Sequence, residues 1–140
     1  MKPLGIKLSW IWALAFLLSG VLGFTPNPVV GSEGFFITDT LHNVVHLTSG
    51  LAFIAVALMW KTPAKFMLGF GIVYMTVGVV GFFTTMDSPQ GMLLGLIHIN
   101  AMDNFLHLAL GVAILASGYL AKNVDAMPRR SGSRVWPQPL

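Results

Sequence analysis

All eight Lys and Arg residues of this chain fall on one side of a four-segment hydrophobic pattern, and all four histidines fall at the other. The apolar stretches are Leu8 to Phe24, Leu41 to Trp60, Phe66 to Thr85 and Met102 to Ala121. Each holds roughly 17–20 residues, which at about 1.5 Å of rise per residue is what a helix needs to cross hydrocarbon. In lipid the backbone must satisfy its own hydrogen bonds, and none of the segments alternates like a barrel strand, so the stretches are expected to be helices. Only 9% of residues are charged against 55% apolar, with a mean hydropathy of +0.76, which excludes an ordinary soluble domain.

Orientation follows from the basic residues. Lys2 and Lys7 precede the first segment, Lys61 and Lys65 separate the second from the third, and Lys122, Arg129, Arg130 and Arg134 follow the fourth. The two other loops carry Glu33, Asp39, Asp87 and Asp103 and no basic residue. The positive-inside rule then puts both termini in the cytoplasm. The net charge of +3 reports this flanking pattern and points to no nucleic-acid partner. Trp10, Trp12 and Trp60 lie near segment ends, where indoles anchor at the membrane interface. The chain has no cysteine, so disulfides, thiolate metal sites and Cys nucleophiles are excluded.

The two halves resemble each other. Gly20-Val21-Leu22-Gly23-Phe24 matches Gly78-Val79-Val80-Gly81-Phe82. Asp39, His42, Asn43, His46, Leu47 and Gly50 match Asn100, Asp103, Asn104, His107, Leu108 and Gly111. The expected architecture is therefore an all-α integral membrane four-helix bundle. Two parallel hairpin repeats would be related by a pseudo-twofold axis along the membrane normal. The helices are expected at about 8–24, 39–60, 65–85 and 101–121, within a membrane domain spanning 1–122, followed by a disordered cytoplasmic tail over 123–140. The repeat needs the first segment, which is therefore read as a helix and not as a cleaved signal peptide. In the outer loops, Thr25 to Thr38 reads as an irregular crossing. The apolar run Met92 to Ile97 is too short to span, and lies in the interface or lids the bundle.

Asp39, His42, Asn43 and His46 are spaced i, i+3, i+4, i+7 and share one helix face, an arc of about 100°. Asn100, Asp103, Asn104 and His107 repeat the arrangement. A polar stripe is not left facing lipid, so both stripes are expected to face the bundle interior near its outer end. Four readings follow. His42, His46, Asp103 and His107 supply three imidazoles and a carboxylate, a set that suits zinc or another divalent metal. His46 and His107 are alternatively the axial ligands of a b-type haem. The cluster could instead serve proton or solute passage, or pH sensing. Or Asp39, Asn43, Asn100 and Asn104 form, with the histidines, a hydrogen-bonded clasp that holds the hairpins together, with Asp39 or Asn100 capping its helix.

The paired motifs Asp39-x-x-His42-Asn43-x-x-His46-Leu47-x-x-Gly50 and Asn100-x-x-Asp103-Asn104-x-Leu106-His107-Leu108-x-Leu110-Gly111 resemble a bacterial four-helix membrane family catalogued as domain of unknown function 4383. The likeness extends to about Lys122. It implies four membrane helices in a bacterial cytoplasmic membrane, and no activity. At the level of fold the chain also looks like small four-helix subunits of membrane redox enzymes. The leading expectation is a non-enzymatic accessory or structural membrane protein, in contact with the lipid bilayer and docked on a larger membrane complex. The alternative is a metal- or haem-binding membrane protein.

Overall fold

The computed structural model describes residues 3–59, 63–88 and 90–127. Along the chain run α1 (Leu4–Leu22), β1 (Val30–Gly31), β2 (Phe36–Ile37), α2 (Thr40–Met59), α3 (Pro63–Thr84), β3 (Gln90–Leu93), β4 (Ile97–Asn100) and α4 (Ala101–Ala126). All four helices are long and apolar enough to cross a membrane. The fold is a four-helix bundle in which α1 packs along α2, α3 along α4, and α1 against α4.

The packing is the inverse of a soluble bundle. Large apolar side chains such as Ile11, Leu18, Leu51, Leu58 and Ile72 point outward. The buried stripe of α1 is Gly5, Ser9, Ala13, Phe16 and Gly20, and that of α3 includes Gly71, Gly78 and Gly81. Lipid is as apolar as leucine, so burying large side chains gains little there, and small residues that let backbones approach gain van der Waals contact. Gly71 and Gly111 show the effect. A Cβ on either would lie 2.8 or 2.9 Å from the carbonyl oxygen of the other. The interior is filled by an aromatic column, Phe16, Phe53, Phe66, Phe70 and Tyr74, with neighbouring ring centroids 5.0–5.7 Å apart.

Several local expectations need correction. The apolar run Met92 to Ile97, expected to lie in the interface or to lid the bundle, has a regular form. It belongs to an antiparallel hairpin in which Leu93 pairs with Ile97 and Gln90 with Asn100. Leu94 and Gly95 turn it with φ of +53° and +71°. Leu93 and Ile99 are buried, so the hairpin does lid the bundle. The stretch from Thr25 to Thr38, expected as an irregular crossing, carries one short pairing: β1 and β2 pair in parallel, and the Asn27 side chain accepts from the N–H groups of Val29 and Val30. Trp12 is an internal tie and not an interfacial anchor, because its Nε1 donates to Ser117 Oγ on α4 at 3.1 Å. α4 runs on to Ala126, past its expected end at 121, and so takes up the first residues of the expected tail. Its Asp125 carboxylate accepts from the N–H groups of Leu4 (2.7 Å) and Gly5 (2.9 Å), which α1 itself leaves without partners. Lys2, Trp60, Lys61, Arg129, Arg130 and Arg134, and the tail from 128 to 140, lie outside the described residues.

The contact between Gly71 and Gly111 yields a test. Gly111→Ala is expected to cost about 1–3 kcal/mol through overpacking of α3 against α4. Gly69→Ala, where a Cβ would meet nothing within 4 Å, is expected to be neutral or slightly stabilising through helix propensity. Thermal unfolding of the two variants in one detergent checks the contrast.

Candidate functional site

The end of the bundle that carries the β-strands is held by a reciprocal exchange of backbone N–H groups for carboxylates. Asp39 Oδ1 accepts from His42 N at 2.8 Å, which caps α2, while Oδ2 accepts from His98 N at 2.8 Å across the bundle. Asp103 Oδ2 accepts from Asn100 N at 2.8 Å within its own capping box, and from Ile37 N at 3.2 Å across the bundle. Asn100 Oδ1 accepts from Asp103 N, and Asn100 Nδ2 donates to Phe35 O. Both helices are thus capped, and each cap holds the opposite loop. Burial works against ionisation of Asp39. The backbone N–H groups of His42, His98 and Leu41 work against that burial, and the carboxyl is held below its ordinary 3.8.

Beneath this clasp three histidines converge. His42 and His46, one turn apart on α2, meet His107 on α4, and one ligand-capable atom from each lies within 4.8 Å of the others. Ring centroids are 4.8 Å (His42–His46), 5.7 Å (His42–His107) and 6.3 Å (His46–His107) apart. All three residues are buried, at 3%, 7% and 5% exposure in that order. His42 Nδ1 sits 3.0 Å from His98 O. A carbonyl only accepts, so Nδ1 carries the proton, and a neutral His42 ring presents the lone pair of Nε2. A metal-binding histidine commonly donates its other ring N–H to a carbonyl in this way. His46 Nε2 and His107 Nδ1 have no hydrogen-bond partner among the described residues. A buried, unpaired polar atom costs about 1–3 kcal/mol, so two in one cluster call for a functional account.

The aromatic column forms the floor, with Tyr74 5.4 Å from His107 and Phe16 5.9 Å from His46. Beside the triad, between α2 and α3, lies a cavity of about 190 Å³ roofed by the hairpin.

The structure brings together three of the four residues expected to bind a metal. Asp103 is not among the converging donors; its Oδ2 accepts from the N–H groups of Ile37 and Asn100 instead. Of the expected clasp, Asp39 and Asn100 cap and bridge as described. Asn104 Nδ2 donates to Thr85 Oγ1 at 3.0 Å within its own hairpin, and its Oδ1 has no partner among the described residues. Asn43 lies against Gly23, as Asn104 does against Gly81; a Cβ at either glycine would overlap the amide oxygen. The rings leave no slot for a porphyrin between His46 and His107, since His42 lies within 5.7 Å of both. The cavity is also smaller than the roughly 300–1,000 Å³ that takes drug-sized ligands, and haem is larger than those. Residue pattern did not single out Tyr74, or His98 as a backbone partner. Tyr74 had one signal, a phenol in an otherwise apolar helix.

Residues 7–120 match the model of a family described as a domain of unknown function (DUF4383). No curated protein and no solved structure matches the chain.

The lowered Asp39 value fixes the sign of a pH effect. Its stabilisation is present above the ordinary carboxylate range and is lost as pH falls through the native value. Asp39→Ala is therefore expected to cost about 1 kcal/mol at neutral pH through loss of the cap, with the gap to the parent closing in acid. Melting curves of both proteins across a pH series read this directly; a gap independent of pH would count against the carboxylate as its source.

Proposed function

We propose, for a chain that belongs to the family described as a domain of unknown function (DUF4383), a multi-pass membrane protein that binds a divalent transition-metal ion through His42, His46 and His107. One observation carries the reading: three buried imidazoles each bring a ligand-capable nitrogen within 4.8 Å of the others, and two ring nitrogens have no partner among the described residues. Three neutral imidazoles without thiolate suit zinc, copper, iron or nickel rather than magnesium or calcium. An ion held at about 2.1 Å needs its nitrogens about 3.4 Å apart, so binding draws the rings inward by side-chain rotation. The clasp supports this by holding His42 Nδ1 on His98 O while α2 and α4 are kept in register. Asp103 has a positioning role in this reading and is not a ligand.

The site belongs at the outer face of a bacterial cytoplasmic membrane, with both termini inside. The distribution of Lys and Arg supports that orientation. Two duplicated hairpins account for the paired motifs. The glycine–asparagine contacts at Gly23–Asn43 and Gly81–Asn104 support the duplication.

Elemental mass spectrometry of the detergent-purified protein, beside a His46→Ala/His107→Ala variant, tests the site. About one equivalent of a transition metal is expected in the parent, and little in the variant. Circular dichroism separates loss of ligands from loss of fold. No metal in the parent, even after dialysis against zinc, would sink the reading. It would leave the structural membrane protein that the composition first suggests.

A further inference from the structure

One face of the β3–β4 hairpin meets the bundle. Leu93 and Ile99 are buried, and with Ile97 they line the cavity shared with Val45 of α2 and Val73 and Val77 of α3. Val45 and Val77 lie about 7 and 10 Å along the axis from the helix ends at Thr40 and Thr84. α2 and α3 touch over only a short stretch, and both are long and apolar enough to span a membrane. The hairpin therefore stands at the gap between two spanning helices, beside helix surface that lies below their ends.

The opposite face carries Met92 and, at the tip, Leu94 and Leu96, which are 45%, 79% and 63% exposed. An antiparallel pair with one face in water places polar residues on that face. From Gly91 to Ile97 there is no polar side chain, whereas the loop from Thr25 to Thr38 exposes Thr25, Ser32 and Glu33. The turn is a second, independent mark. Leu94 and Gly95 both have positive φ, as a two-residue turn of type I′ requires, and Asn or Asp fills the first position at less steric cost than Leu. A leucine held there and left exposed gains from an apolar solvent what it does not gain from the protein. The backbone of the turn suits such a solvent, because Gly95 N donates to Met92 O and Leu96 N to Leu93 O.

We propose that Met92, Leu94 and Leu96 form a lipid-binding surface, seated among the acyl chains of the leaflet on the strand-bearing side, so that the hairpin plugs the gap between α2 and α3. Its inner face closes the cavity and its outer face replaces the lipid-facing surface that the two separated helices do not supply. The inference goes beyond metal binding and does not depend on it.

Because the chain has no cysteine, one introduced thiol can be labelled alone. The full chain is placed in phosphatidylcholine nanodiscs with a nitrobenzoxadiazole fluorophore at Leu94→Cys, or at Leu96→Cys if the first variant does not fold by circular dichroism. The same label at Ser32→Cys, in the polar loop, is the reference for an exposed site. Two quenchers are compared: phosphatidylcholine carrying a nitroxide high on its acyl chain, and aqueous iodide. The hairpin label is expected to emit at shorter wavelength than the reference, to lose most of its emission to the nitroxide lipid and to resist iodide. The reference is expected to show the reverse. A hairpin label quenched by iodide as strongly as the reference would place the tip in water and overturn the proposal. A label shielded from both quenchers would mean that protein covers this face, a second copy included, and would overturn it equally. Metal content does not enter either readout, so the ion site and the hairpin surface can fail separately.

Discussion

A bilayer offers no hydrogen bonds, so each polar group carried into it must find its partner within the protein. At the strand-bearing end of this bundle the groups at issue are the free N–H groups of two helix starts and the backbones of two loops. Asp39 and Asp103 settle both at once, each capping one helix and holding the loop of the other hairpin. This exchange seats β4 over the bundle. With β4 in place, the carbonyl of His98 meets His42 Nδ1, and that contact selects which nitrogen of His42 faces the other two rings. The geometry of the triad therefore rests on two carboxylates that do not take part in it.

Deeper in the membrane the controlling constraint changes from polar satisfaction to shape. Glycines at the α3–α4 contact bring two backbones together, and comparable positions, Gly20 and Gly50, pack α1 on α2. Close pairing within each hairpin leaves the interior to be filled by rings, and the column from Phe66 up to Tyr74 does so. The same pairing leaves α2 and α3 only loosely joined. The cavity follows from that asymmetry and is no local packing defect.

The four helices were legible in the sequence because length and hydropathy suffice to identify a span. The triad was legible because His42 and His46 at i, i+4, with His107 in the matching motif, place the rings on facing stripes. Asp103 was harder. A carboxylate three residues after Asn100 can cap its helix or reach a ligand, and only the placement of the Ile37 backbone decides between them. The hairpin over 90–100 was hidden because its strands are only four residues long: the alternation of Ile97-His98-Ile99-Asn100 is too brief to mark a strand, and Gln90-Gly91-Met92-Leu93 shows none. Trp12 misled for a similar reason: its distance from the end of the segment says nothing about which way it faces.

The contact of Asp125 with the first turn of α1 has a topological consequence. It joins the last turn of the bundle to the first, so the chain from Leu4 to Asp125 describes a nearly closed ring of helices. The protein is thereby sealed by carboxylates at both faces, one on the termini side and two on the loop side. In such a ring the start of α1 and the end of α4 are neighbours, and the order in which the helices are strung is less constrained than the way they touch. A permuted chain that began at α3 and closed through a short link from 127 to 4 would keep each of the contacts that define the outer site.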